Sequence, residues 1–256
     1  MQNLRVTIVQ PDIIWENTEA NLKKYEELLS YSDETDLIVF PEMFTTGFSM
    51  QPEKLKETMS GVSVQWMKKL AETTNASVVG SLIIEENEKM YNRAVWAFPD
   101  GQTEVYDKHH LYTMGEETKH YMAGTSKTIV EFKGWKICPL ICYDLRFPVW
   151  ARNLEDYDLL IYMANWPSPR HHVWKNLLVA RAIENQCYCA GVNRVGNDGS
   201  GLSYLGNSAL VSPKGFADFL GEQEEIRTFE LSMSRLQHFR KVFPLLNDRD
   251  QFKILD

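Results

Sequence analysis

The apolar positions along this chain change period several times, and each change marks an element. Leu4 to Val9 is a short β-rich run closed by Gln10-Pro11-Asp12, after which Asn17 can cap a helix carrying Leu22, Tyr25, Leu28 and Leu29 at helical spacing. Asp36 to Phe40 is continuously apolar, as expected of a strand buried on both faces, and Pro41 stops it directly before Glu42. Val64, Met67, Leu70 and Ala71 place one stripe on a second helix, Ser63 to Thr74, followed by a strand from Ala76 to Ile84. Met90 to Phe98 and Gln102 to Tyr106 flank Pro99-Asp100-Gly101, a hairpin signal in which Asp-Gly supplies the positive φ angles. The second arm runs into Asp107-Lys108, and His109 to Gly124 then shows no clear period, as an ordered functional loop would.

Thr128 to Phe132, a Lys133-Gly134 turn and Trp135 to Ile141 form another strand pair that breaks off at Cys142. Leu159 to Ala164 is a wholly apolar strand ending at Asn165-Trp166-Pro167, and Arg170 to Gln186 is a helix with Val173, Trp174, Leu177, Leu178 and Ala182 on its buried stripe. Cys187 to Val195 reads as a strand and Gly196 to Gly201 as a flexible loop. Asn207 to Val211, turning at Ser212-Pro213-Lys214-Gly215, predicts a hairpin with the segment near Ile226 to Leu231, and a short helix follows around Leu236 to Val242. Continuous apolar strands, amphipathic helices and hairpins together fit a layered α/β arrangement in which helices cover mixed sheets.

Composition narrows the class of protein. With 256 residues, 44% hydrophobic and 24% charged, and with no linker or repeat, one domain spanning residues 1–256 is expected. A formal charge of -8 argues against a polyanion partner, so no nucleic acid is expected. No stretch reaches the roughly 18 apolar residues of a membrane span, and residues 1 to 10 lack a signal-like pattern, which points to the cytoplasm. Four cysteines are too few for a disulfide framework, and Cys187 and Cys189 lack the C-x2-C spacing of a zinc site.

Three strands end on reactive side chains: Glu42, Lys108 and Cys142. A free thiol with a pKa near 8.5 needs a base, and a partly desolvated carboxylate can serve as one. An ammonium offers fixed positive charge where a carbonyl oxygen becomes an oxyanion. Histidine is the commoner partner of a catalytic cysteine, and His109, His110, His120, His171 and His172 leave a Cys/His hydrolase open at this point. No H-E-x-x-H, H-x-E with P-C-x-x-C or G-x-S-x-G pattern is present, so neither a metal site nor a serine elbow is expected.

Pro41-Glu42-Met43-Phe44, Asp107-Lys108-His109-His110-Leu111 and Cys142-Tyr143-Asp144-Leu145-Arg146-Phe147-Pro148, in this order, resemble the Glu, Lys and Cys signatures of the nitrilase (carbon-nitrogen hydrolase) superfamily. Asn165-Trp166-Pro167, Arg181 to Gln186 and Asn193-Arg194-Val195-Gly196 resemble its omega-amidase branch. The resemblance implies a four-layer αββα sandwich, a homodimer, and cofactor-free hydrolysis of a small-molecule amide by water through a cysteine thioester. It casts Glu42 as general acid and base, Cys142 as nucleophile, and Lys108 with the Tyr143 backbone N–H as the oxyanion site. It also implies a second glutamate seven residues before a glycine; Gly124 points to Glu117, with Glu116 the alternative.

Trp166 and Phe48 are expected as pocket walls. Arg146 either meets the carboxylate of a 2-oxoglutaramate-like monoamide of a dicarboxylic acid or braces Asp144 or a neighbouring loop, the second being slightly favoured. Other superfamily activities, nitrilase or N-carbamoyl amidase, share the same three residues. The aromatic tail Phe147 to Trp150 is expected to begin the helix that positions the thiol.

Overall fold

Alternation within the strands decides how the layers stack. In the computed structural model, which describes residues 2–30 and 33–254, Val6, Ile8, Leu37, Val39 and Val79 belong to one large apolar cluster, while their chain neighbours Val9, Ile38 and Val78 belong to a second. A side-chain period of two sends alternate residues to opposite faces, so this first sheet is buried on both sides. Its strands are β1 (Leu4–Gln10), β2 (Leu37–Val39), β3 (Ser77–Glu86), β4 (Lys89–Ala97) and β5 (Thr103–Asp107). Helices α1 (Thr18–Leu29) and α3 (Val62–Thr74) cover the outer face with Leu22, Tyr25, Val64, Met67 and Ala71; the single turn α2 (Pro52–Leu55) lies between them in sequence. Asn17 caps α1 by accepting the N–H of Ala20 at 3.1 Å, as its residue type predicts.

After the one-turn helix α4 (Glu117–His120), the second half of the chain builds β6 (Val130–Phe132), β7 (Trp135–Ile141), β8 (Leu159–Met163), α5 (His171–Asn185) and β9 (Tyr188–Val192). A ribbon, β10 (Val195–Asn197) and β11 (Ser203–Leu205), precedes β12 (Ala209–Val211), β13 (Ala217–Phe219), β14 (Glu225–Leu231) and α6 (Met233–Val242). The sheets run in the orders β14-β1-β2-β3-β4-β5 and β13-β12-β9-β8-β7-β6. Each has parallel strands at its centre, β1-β2-β3 and β7-β8-β9, and antiparallel strands outside them. Two mixed sheets packed face to face through Trp96, Trp135, Ile137 and Tyr162, with helices outside, make the αββα sandwich.

Four expectations need correction. The partner of β12 is β13, in register Leu210 to Asp218, whereas β14 crosses over to pair with β1, in register Val6 to Phe229. Local alternation marks a strand but carries no label for the sheet it joins. The 196–201 segment ends β10 and turns toward β11 rather than forming a loop without structure, with Asp198 accepting from the N–H groups of Ser200 and Leu202 and from the Tyr204 hydroxyl. In the β4–β5 turn only Gly101 has positive φ (83°), and Asp100 instead accepts the N–H of Gln102. Finally, Phe147 to Trp150 starts no helix; the turn that carries the thiol is a 3-10 turn, Cys142–Arg146.

No helix among the described residues is long and apolar enough to cross a membrane. Gly191, in the middle of β9, lets α5 approach the second sheet: a Cβ there would lie 2.4 Å from Leu178 Cδ1 and 2.8 Å from Trp174 Cζ2. Gly191→Ala is therefore expected to destabilise the fold by about 1–3 kcal/mol through overpacking. Urea unfolding measures it, and a loss below about 0.5 kcal/mol would mean that the helix can shift freely.

Candidate active site

Glu42 sits just past β2, Lys108 follows β5 and Cys142 follows β7, so the three side chains converge at one end of the sandwich. All three line a cleft of about 430 Å³. That volume suits a small organic molecule.

Lys108 and Glu42 are buried, and so is Glu117. The Lys108 ammonium donates to Glu42 Oε1 at 2.8 Å and to both oxygens of Glu117 at 3.0 and 2.9 Å. Asn92, midway along β4, donates to the same two carboxylates at 2.8 and 3.1 Å and accepts the Ser81 hydroxyl at 2.8 Å. The second oxygen of Glu42 accepts the N–H of Asn165 at 2.9 Å, and the Asn165 amide donates to the Glu42 carbonyl. Glu117 also accepts the N–H of Tyr112 at 2.6 Å. Every polar atom of the two carboxylates is thus engaged, which is the condition for keeping charge in an interior.

Burial pulls the Lys108 ammonium toward its neutral form, but Glu117 and Glu42 outweigh it and leave its pKa raised. The lysine therefore stays charged through neutral pH. Burial pushes the Glu117 carboxyl up, Lys108 opposes this and Glu42 reinforces it, so Glu117 titrates above the usual carboxylate range. Burial also pushes the Cys142 thiol well up; the Glu42 charge adds to that and Lys108 opposes it. At rest the nucleophile candidate is a thiol, with Sγ 3.9 Å from the Asn165 carbonyl. A thiol, a carboxylate able to take its proton and a fixed ammonium beside them can together carry an acyl group.

The backbone is strained where these groups sit. Cys142 has φ 41°, Met43 (next to Glu42) 43° and Glu116 (next to Glu117) 62°. Left-handed φ costs a non-glycine residue about 1–2 kcal/mol, so these corners are held by their surroundings. Asp144 supplies one hold. Its Oδ2 accepts the N–H of Ile141 at 3.1 Å and the Tyr106 hydroxyl at 2.8 Å, while Oδ1 accepts the backbone and ring N–H of His110 at 2.9 and 2.8 Å. One carboxylate therefore ties the cysteine corner to the segment that follows Lys108.

The structure sorts the remaining candidates. Glu117 faces Lys108, whereas Glu116 is exposed and paired with Lys119, which separates the two glutamates left open by the sequence. Phe48, Tyr143, Trp166 and Arg146 all line the cleft, and the Phe48 ring lies 5.2 Å from the Lys108 ammonium. The reading of Arg146 as a brace for Asp144 is not supported: both oxygens of Asp144 are taken by other donors, and the guanidinium lies 5.0 Å over the Trp166 ring. None of the histidines lines the cleft; His109 contacts the Gly124 carbonyl and stacks on Trp150, and His110 turns to Asp144. Among the described residues no group of three or more His, Cys, Asp or Glu could hold a metal ion.

Asn92, Trp15 and Arg170 are site residues the sequence reading missed, and Asn165 was named there only within a resembling segment, without a role. Asn92 carried no distinct signal, because Lys89 and Arg93 also interrupt the apolar positions of β4.

A carbon-nitrogen hydrolase family model matches residues 5–241. An Escherichia coli K12 protein named omega-amidase YafV is 44% identical over 256 residues, covering 99% of this chain and 100% of the relative. A Bacillus subtilis 2-oxoglutaramate amidase is 34% identical, covering 95% and 96%. A solved Xanthomonas campestris CN-hydrolase superfamily protein, with an arsenic adduct in its active site, superimposes with a TM-score of 0.96 at 42% identity over 99% and 100%. Saccharomyces cerevisiae Nit3 gives 0.86 at 28% over 95% of each chain.

The charge arrangement makes a signed prediction. Glu42→Gln removes a negative charge that opposes thiolate formation while Lys108 remains, so the pH midpoint for iodoacetamide alkylation of Cys142 is expected to fall. An unchanged midpoint would show that Glu42 does not bear on the thiol, and a rise would contradict the sign argued from its charge.

Proposed function

This chain belongs to the carbon-nitrogen hydrolase family, and from that premise we propose that it is an omega-amidase, releasing ammonia from small monoamides of dicarboxylic acids such as 2-oxoglutaramate. The observation that carries the reading is the buried Glu42–Lys108–Glu117 set beside Cys142, in a cleft that also holds Arg146, which has no acidic partner among the described residues.

In this account Glu42 takes the Cys142 proton and the thiolate attacks the amide carbonyl. Negative charge moves to the carbonyl oxygen, where the Lys108 ammonium and the Tyr143 backbone N–H receive it. The tetrahedral adduct collapses with cleavage of the C–N bond, and Glu42 delivers the proton to the departing ammonia. Water, deprotonated by the same carboxylate, then hydrolyses the thioester and restores the thiol. Glu117 orients Lys108 and keeps it charged. Oxyanion donors of this kind are worth about 10²–10³ in rate, and the nucleophile more.

Arg146 receives the carboxylate at the far end of the substrate. Its guanidinium stacks on Trp166, which leaves its N–H edge free for a bidentate contact.

The protein is further proposed to act as a cytoplasmic homodimer. Its four cysteines are unpaired, as suits a reducing compartment, and Val149, Ile183, Phe216, Val242 and Phe243 stand 47–76% exposed, an apolar excess that a second copy would cover. Light scattering should then give twice 29.7 kDa.

Ammonia release from a panel of monoamides, nitriles and N-carbamoyl amino acids tests the activity. The monoamides should give the highest kcat/KM, with kcat falling by about 10³ or more in Cys142→Ala and Glu42→Gln. Faster turnover of a nitrile or a carbamoyl amino acid would sink the omega-amidase reading, and full activity in Glu42→Gln would sink the mechanism.

A further inference from the structure

Arg170 immediately precedes α5 and lines the cleft. Its position is electrostatically unfavourable. Peptide dipoles give a helix N-terminus about half a positive charge, and the first turn of this 15-residue helix has no acidic residue to offset it. Among the described residues the Arg170 guanidinium has no hydrogen bond or ion pair, and neither has that of Arg146. Rings hold both: Arg146 Cζ lies 5.0 Å over Trp166 and Arg170 Cζ 5.6 Å over Tyr112. Trp166 also links them, because its indole N–H donates to the Arg170 carbonyl at 2.8 Å. Trp166 therefore touches one guanidinium and anchors the backbone that carries the other.

The other carboxylates of the cleft do not relieve them. Asp198 is occupied by Ser200, Leu202 and Tyr204, and Glu16 accepts from Ser49 and Gln51. Neither forms an ion pair with Arg146 or Arg170. An anion in the cleft that reaches both arginines would find two planar donor edges.

We propose that Arg170 is a specificity-determining residue: a second guanidinium of the carboxylate subsite, which with Arg146 selects acidic monoamides over neutral amides. This rests on the omega-amidase reading.

The test compares glutaramate with pentanamide, which matches its chain length and lacks the carboxylate, in wild type, Arg170→Gln and Arg170→Lys. The ratio of kcat/KM for glutaramate to that for pentanamide should fall about tenfold or more in Arg170→Gln, through KM. Arg170→Lys should fall between, since lysine keeps the charge and loses the fork. An unchanged ratio, or equal losses on both substrates, would overturn the proposal.

A second arm does not need turnover. The concentration of 2-oxoglutarate that half-protects Cys142 from iodoacetamide should rise about tenfold in Arg170→Gln whose thermal unfolding shows it folded. The same concentration in both proteins, or no protection of the wild type, would overturn the proposal. Failure of wild type to release ammonia from any monoamide would instead sink the omega-amidase reading, and the protection arm would still decide Arg170.

Discussion

One ammonium held between two carboxylates in the interior is the constraint on which the rest of this site depends. Bringing Lys108, Glu42 and Glu117 out of water is costly unless each charge meets a partner and each lone pair a donor. The chain meets that demand with Asn92, the N–H groups of Asn165 and Tyr112, and the ammonium itself. Those donors come from three separate segments and Glu42 from a fourth, so the charge set also fixes how the β2 corner, β4, the loop after β5 and the end of β8 meet. The raised position of Glu117 follows from the same crowding: two carboxylates and one ammonium leave one negative charge in excess, and burial penalises it.

Strain is distributed around this set. The positive φ values at Met43 and Cys142 turn the chain just past β2 and β7, and that at Glu116 turns it into α4. Asp144 and the stacked pairs His109–Trp150 and His110–Phe147, with ring centroids 3.7 Å apart in both, hold the cysteine corner against the lysine segment. The histidines thus contribute shape and hydrogen bonds where residue type alone would have offered them as bases. The two sheets reach the same result at larger scale, since their parallel centres carry Glu42, Cys142 and Asn165 to a common end.

Much of this was legible in the sequence. Continuous apolar runs located β2, β7 and β8, and the reactive residues directly after β5 and β7 and shortly after β2 marked the candidate site. Three things were hidden. The pairing of β14 with β1 joins residues more than two hundred positions apart, and no local pattern encodes it. The roles of Asn92 and Asn165 depend on which buried charges they meet, which spacing cannot show. Arg170 differs from a surface arginine only in its surroundings: an aromatic face and no ion pair among the described residues. Glu117 lay between these cases, named through the resemblance and separated from Glu116 only by burial.

The central claim is that the acyl group passes through Cys142. Acid-quenching the enzyme during turnover of glutaramate and weighing the intact protein and its Cys142 peptide tests it most directly. The account predicts a mass increase equal to glutaramate less ammonia, on Cys142 alone and lost in Cys142→Ala. Sustained ammonia release by Cys142→Ala, or an acyl adduct on another residue, would contradict it.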